Sequence, residues 1–265
     1  MRALIIPLAL VSLAAQAGPL NDTGIDFCRD HTTGVDTPVT ASTTCTPDQG
    51  GQDARYGRDP ATQRGAVTKV GGGSKGFDFT KIANNGTTLP ASAALGSGAT
   101  DWACTYDNNT GLMWEVKTPG GAGGVRDANY TYTWYDSVHN YGGNPGTADG
   151  GYYSTCQTAG RCDTEKFVAD INALSPGLCN HHDWRMPTVA ELFNLADIGI
   201  AYTNTSDLPT IDATYFPNTP ASDFWSGSPH AGYSDCAWAV GFDGGAAFWD
   251  KRGYAYQVRH VRAGQ

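Results

Sequence analysis

The feature that most constrains this chain is a set of seven cysteines, all of which lie beyond a segment typical of an export signal. Arg2 supplies the positive charge, residues 3–14 form an apolar run, and residues 15–17 match a small-x-small cleavage site. The run is shorter than the roughly 20 residues that a bilayer span needs, and no other segment approaches that length. We therefore predict a signal peptide over residues 1–17, no membrane insertion, and a periplasmic, cell-surface or extracellular location.

In an oxidising compartment, cysteines form disulfides by default. The candidate pairs are the local pair Cys156–Cys162, the pair Cys28–Cys45 in the amino-terminal segment, and the long-range pair Cys104–Cys179. Because six cysteines allow about 15 connectivities, spacing favours only the local pair over its alternatives. Cys236 is left over, and the absence of C-x2-C spacings disfavours zinc.

Glycine content and charge narrow the class of protein further. The 34 glycines follow no three-residue period, which excludes collagen and indicates many turns and short strands. A hydrophobic fraction of 40%, with 7 Trp, 13 Tyr and 9 Phe, is enough for a sizeable core. The formal net charge of -9 argues against nucleic acid, heparin-like polyanions and anionic membranes as partners, because all three attract clustered Lys and Arg.

A change of composition near residue 100 divides the chain. Residues 18–100 are rich in Gly, Thr, Asp and Asn, and we predict that they form a loop-rich extension packed on a main domain at residues 101–265. In the main domain, residues 104–106 and 112–116 predict two strands joined by a tight turn.

Two helices are predicted from their caps. Asp163 precedes an apolar stripe that contains Phe167 and Ile171, and Thr188 with Glu191 forms a capping box. Short strands are predicted at residues 224–226, 237–242, 248–249 and 254–262. Two helices against several short antiparallel strands predict an α+β fold.

Four motifs in order resemble one family. They are TGLMWE at residues 110–115, DWRMPTVAEL at 183–192, FWSGS at 224–228 and VRHVR at 258–262. Together they resemble the carboxy-terminal domain of the Legionella collagen-like adhesin, from about residue 102 to the end of the chain. The resemblance implies a binding or adhesion role outside the cell.

A more distant resemblance concerns the fold. RMPT at residues 185–188 followed by Glu191 is similar to the signature of formylglycine-generating-enzyme-like domains, which are a branch of the C-type lectin-like fold. This resemblance implies two helices beside a twisted antiparallel sheet, with long loops that present a binding face. A fold resemblance alone implies no activity.

Structural roles explain the distinctive residues of these motifs. Pro187 presets the chain before the helix that Thr188 and Glu191 cap. We expect the arginines of the motifs to pair with carboxylates or carbonyls inside the fold. The predicted structural residues are Trp184, Arg185, Pro187, Thr188, Glu191, Arg259 and Arg262.

Residues 230–255 are the predicted ligand face. Alternation predicts that Trp238, Val240, Phe242 and Trp249 form the scaffold. The candidate ligand-binding residues, on loops or on the outer strand face, are His230, Tyr233, Asp235, Ala239, Asp243, Phe248, Lys251, Arg252 and Tyr254. Some members of the family are diversified in this region by retroelements that mutate adenines, so the resemblance also implies a ligand face here. The alternative is that Phe248, Trp249 and Tyr254 complete the core.

We predict no catalytic residues, no metal site and no cofactor. No nucleophile elbow, P-loop, zinc-protease motif or dinucleotide fingerprint occurs, and the adjacent His181 and His182 would point apart in a strand.

The leading hypothesis is an exported binding protein that recognises an extracellular macromolecule or glycan through its last third. One alternative is an oxidoreductase like the formylglycine-generating group, which would need reactive chemistry near Cys236. Another is a structural subunit of a surface fibre or envelope layer, which would self-assemble; the sequence leaves the oligomeric state open.

Overall fold

The computed structural model describes residues 21–30, 36–38, 45, 49–50, 52–63, 65–139, 141–151, 153–202 and 209–264. The predicted signal peptide, residues 1–17, lies outside them. The strands are β1 (Phe27–Asp30), β2 (Asp36–Pro38), β3 (Gln49–Gly50), β4 (Phe79–Ala83), β5 (Thr88–Leu89), β6 (Trp102–Asp107), β7 (Leu112–Glu115), β8 (Asp223–Pro229), β9 (Cys236–Gly241), β10 (Ala246–Lys251) and β11 (Val261–Ala263). The helices are α1 (Gln52–Tyr56), α2 (Arg58–Gln63), α3 (Thr164–Asn172), α4 (Val189–Phe193) and α5 (Ile198–Tyr202). Helices mixed with mostly antiparallel strands confirm the predicted α+β class.

Within the described residues, the largest sheet has five strands in the order β11-β7-β6-β4-β5. β6 and β7 form the predicted hairpin, in which an oxygen of the Asp107 carboxylate accepts the Asn109 N–H at 2.9 Å. Gly111 closes the turn with a φ of 72°, a conformation that favours glycine. β4 and β5 precede residue 100, so the segment predicted as an extension contributes two strands to this sheet.

A second sheet has the order β10-β9-β8, with β9 in the centre. In the antiparallel hairpin of β9 and β10, Trp238 lies opposite Trp249 and Ala239 lies opposite Phe248. α4 packs on one face of this sheet. The core between the two sheets includes Trp114 and Val261 from the five-stranded sheet and Leu192 from α4.

Both predicted helices are present with their predicted caps. The Asp163 side chain accepts the Lys166 N–H at the start of α3, and Phe167 and Ile171 are buried. At α4, the Thr188 side chain and the Glu191 side chain form the reciprocal capping box. These caps satisfy backbone N–H groups that have no partner within the first helical turn.

Three disulfides join the candidate pairs Cys28–Cys45, Cys104–Cys179 and Cys156–Cys162. The first joins Cys28 of β1, in the small sheet of β1, β2 and β3, to Cys45, and Ala54 of α1 is buried together with both cysteines. This segment packs on the main domain, where the Asn21 amide donates to Asp107 at 2.6 Å. The second disulfide anchors β6 to the loop that follows α3.

Candidate functional site

The central position of β9 determines which of its side chains reach the surface. Val240 packs beside α4 in one core cluster, whereas Ala237 and Ala239 pack with Trp225 on the opposite face. Both faces of β9 are therefore covered along most of its length. Trp238, near the start of the strand, is half-buried.

Four rings form an aromatic patch, defined as His230, Tyr233, Trp238 and Trp249. The centre of the His230 ring lies 5.2 Å from that of Tyr233, 5.3 Å from that of Trp238 and 5.1 Å from that of Trp249. The Tyr233 and Trp249 rings lie 4.9 Å apart with an interplanar angle of 30°. Tyr233 is 53% exposed and Trp249 is 45% exposed, so the two rings present a contiguous aromatic surface to solvent.

The loop that leads into β9 fixes the patch in place. The His230 N–H donates to the Cys236 carbonyl at 3.1 Å, and His230 Nδ1 accepts the N–H groups of Gly232 and Tyr233, each at 3.1 Å. Since both of these donors are backbone amides, Nδ1 acts as an acceptor and orients the ring. The imidazole therefore fills the centre of the patch and restrains the loop that carries Tyr233.

The predicted orientation of several residues is wrong. Ala239 was expected on the outer face but is 0% exposed, because Phe248 and the core around Trp225 cover that side of β9. Arg252 was expected on the surface but is 2% exposed; its guanidinium lies 4.1 Å from the Trp134 ring centre, and its Nε donates to the Cys236 carbonyl at 3.1 Å. Conversely, Trp249 was assigned to the scaffold and is exposed in the patch.

The other candidate ligand-binding residues lie in different places. Tyr233, Asp235, Asp243, Lys251 and Tyr254 are exposed, and His230 and Phe248 are half-buried. Phe248 and Tyr254 both approach Tyr256, with ring centres at 6.1 Å and 6.4 Å. Because neighbouring residues of a strand point to opposite faces, Phe248 lies on the face of β10 opposite Trp249. The structure therefore brings only His230 and Tyr233 of the candidates into the aromatic patch.

The motif arginines pair with carboxylates or carbonyls, but Arg185 and Glu191 lie at the surface rather than inside the fold, with side chains 45% and 23% exposed. The Arg185 guanidinium donates to both oxygens of Glu191, at 2.7 Å and 2.8 Å. Burial raises the pKa of Glu191, but the hydrogen bonds from Arg185 and from the Thr188 N–H outweigh it and hold that pKa below its usual value. Arg262 pairs with Asp183 at 2.7 Å.

Arg259 is fully buried beneath the sheet. Its guanidinium donates to the Glu115 carbonyl at 2.7 Å and to the Thr219 hydroxyl at 2.6 Å, and it lies 5.0 Å from the Phe216 ring centre. Burial lowers its pKa to about 10. Trp184 is buried against the Cys104–Cys179 disulfide. These contacts explain the motif residues as fold determinants.

A buried cluster of charged groups is the feature that sequence reasoning missed. The Glu115 carboxylate lies 2.9 Å from Lys117 Nζ and 3.0 Å from His260 Nδ1, and the side chains of all three are at most 1% exposed. Burial raises the pKa of Glu115. The charge of Lys117 and the hydrogen bond from His260 lower this pKa by more than burial raises it, and they leave it well below its usual value. Burial lowers the pKa of Lys117 and of His260. The VRHVR motif could have drawn attention to His260, but Glu115 lies 145 residues away.

The free thiol of Cys236 is poorly suited to act as a nucleophile. Cys236 is the one free cysteine and is buried, and burial together with Asp235 raises the pKa of its thiol, which disfavours a thiolate nucleophile. Within the described part of the chain, no group of three or more His, Cys, Asp or Glu side chains could hold a metal ion. None of the described helices is long and apolar enough to cross a membrane.

Comparison with known families agrees with the sequence motifs. A family model described as the Lcl C-terminal domain matches residues 103–262, which include the aromatic patch and the motif residues. No curated protein and no solved structure is significantly similar to the chain.

Proposed function

Because the chain belongs to the Lcl C-terminal domain family, we propose that it is an exported, non-catalytic binding protein of the adhesin type. Its ligand is an extracellular macromolecule or glycan, and the aromatic patch is the contact surface. Three disulfides support export, since they persist in oxidising compartments.

The exposed Tyr233 and Trp249 rings are the observation that carries this proposal. Large aromatic side chains at the surface lose little conformational entropy on binding and dominate the energy of many interfaces. Here the His230 ring and the loop hydrogen bonds hold them in one arrangement before any ligand arrives. Such a preorganised aromatic surface suits the apolar face of a sugar ring or an apolar side chain of a protein.

Charge favours a ligand that is not a polyanion. The chain has a formal net charge of -9, and Lys251 is the basic residue of the β9–β10 hairpin. Polyanions bind through clustered cations, which this hairpin lacks. We therefore expect the mature protein to pass through heparin resin at physiological salt; tight, salt-sensitive retention would contradict this part of the proposal.

We further propose that the fold is C-type lectin-like, with α3 and α4 beside antiparallel sheets. Diversification of residues 230–255 is a related proposal, which a near-repeat of their codons beside a reverse-transcriptase gene would support.

An enzyme of the formylglycine-generating type is disfavoured because six of the seven cysteines are in disulfides and Cys236 is buried. Size exclusion at several concentrations tests the alternative of a self-assembling surface subunit.

The test is a binding screen of the mature protein on neutral glycans, sulfated glycans and matrix proteins, followed by variants of the patch. Trp249→Ala and Tyr233→Ala should each weaken binding to the selected ligand by about tenfold or more, equivalent to about 1.4 kcal/mol. Tyr153→Ala is the matched control, because Tyr153 is an exposed tyrosine (82%) outside the patch. Equal binding by the wild type and both patch variants would exclude the patch as the contact surface.

A further inference from the structure

A cavity of about 510 Å³ lies at the edge of the five-stranded sheet, on residues distinct from the aromatic patch. Its apolar lining includes Ile82 of β4, Leu89 of β5 and Met113 of β7, and Lys81 also lines it. The volume lies within the range of about 300–1,000 Å³ that is common for small-molecule sites. The cavity therefore has the size and the apolar walls of a ligand site.

Lys81 is an unusual residue for such a wall. It is only 6% exposed, and its Nζ donates to the Ala93 carbonyl at 2.9 Å. The same Nζ lies 3.8 Å from the Trp102 ring centre and 5.7 Å from the Tyr215 ring centre. Among the ion pairs formed by the described residues, none includes Lys81.

A buried ammonium group without a carboxylate is costly, because the protein interior solvates it poorly. The Trp102 ring and one carbonyl offset part of that cost. Burial lowers the pKa of Lys81, and the more distant Asp212 counteracts this only in part. An anion in the adjoining cavity would supply the missing countercharge.

We propose that this cavity binds a small organic carboxylate with an apolar chain. The carboxylate pairs with the Lys81 ammonium, and the chain packs against Leu89, which lies opposite Lys81 on the same face of the sheet, and against the Tyr215 ring. One buried cation matches a monoanion, whereas a phosphate dianion would leave a buried charge uncompensated. The site shares no residue with the aromatic patch, so a test of this proposal is independent of a test of the proposed function.

The test compares two probes on the full exported chain by titration calorimetry at neutral pH. Decanoate carries the carboxylate, and decanol has the same apolar chain without the charge. The wild type should bind decanoate at least about tenfold more tightly than decanol, which corresponds to about 1.4 kcal/mol. Lys81→Met should abolish this preference and leave decanol binding unchanged. Lys251→Met, which removes an exposed lysine, is the matched control and should preserve the preference.

Ala91→Trp provides a second variant that leaves Lys81 intact. Ala91 is exposed and lines the cavity, so the added indole should block entry of both probes without disturbing the fold. If Lys81→Met fails to fold, this variant and the decanoate-to-decanol ratio of the wild type decide the question. Equal affinity of the wild type for both probes, or undiminished decanoate binding by Ala91→Trp, would overturn the proposal. Neither result would affect ligand binding at the aromatic patch.

Discussion

Glu115→Gln should lower the free energy of unfolding by about 3–5 kcal/mol, because it leaves buried cations without their carboxylate. The two carboxylate oxygens of Glu115 lie 2.9 Å from Lys117 Nζ and 3.0 Å from His260 Nδ1, and all three side chains are buried. Glutamine keeps the shape of the side chain but removes its charge, while the Arg259 guanidinium adds further positive charge nearby. Since about 1 kcal/mol shifts the melting temperature of a domain this large by about 2–4 °C, the expected decrease is about 6–20 °C.

Urea unfolding followed by circular dichroism, with the disulfides kept oxidised, measures this loss. Adding Lys117→Met to Glu115→Gln removes the uncompensated ammonium and should recover part of the stability, because apolar replacements of buried ion pairs are often tolerated. The exposed pair Arg29–Asp36 is the matched control, and Asp36→Asn should cost at most about 1 kcal/mol. The reasoning would be refuted by a Glu115→Gln loss no larger than that of Asp36→Asn, or by a double variant no more stable than Glu115→Gln.

Three further predictions concern pH, a disulfide and a cap. Burial lowers the pKa of His260 in the fold, so below the ordinary histidine value of about 6.5 the unfolded chain binds more protons than the native one. The free energy of unfolding, measured by urea titration, should therefore fall as pH drops from 7 to 5. His260→Gln should make this pH dependence weaker, and an unchanged pH dependence would show that His260 does not cause it. Replacing Cys104 and Cys179 together by Ser should cost about 2–5 kcal/mol, measured by urea unfolding, and a negligible loss would show that the bond does not constrain the unfolded chain. Thr188→Ala should cost about 1 kcal/mol and Thr188→Asn less, and equal losses in thermal melts would exclude capping as the cause.

Local signals were sufficient for the parts of the fold that depend on neighbours in sequence. The caps at Asp163 and Thr188 join atoms three residues apart, so their residue types alone predict the helix starts. The turn between β6 and β7 likewise depends on Asp107 and Gly111 within a single hairpin. Arg185 and Glu191 lie within one motif, yet the sequence predicted only the capping role of Glu191, and their ion pair is visible in the structure alone.

Long-range packing determined which charged side chains are buried, and the local signals in the sequence could not predict this. Glu115 and Lys117 follow the alternation of a strand and give no sign that they are buried, because their partner His260 comes from the end of the chain. Lys81 resembles any strand lysine until Trp102 and the covering loop at Ala93 enclose it. Each of these side chains is buried because a segment from elsewhere in the chain covers the strand that carries it. The periodicity of one strand carries no information about the segment that covers it.

The sequence by itself therefore determined the α+β class, the helix caps and the family, and it predicts a ligand face at residues 230–255. Tertiary structure alone decided which side chains of that region reach solvent. Alternation assigns Trp238 and Ala239 to opposite faces of β9, but the packing of the two core clusters decides that Ala239 is covered and that the ring of Trp249, opposite Trp238, is exposed. The physical reason is that a central strand has two faces to bury, and the layers that bury them come from distant parts of the chain.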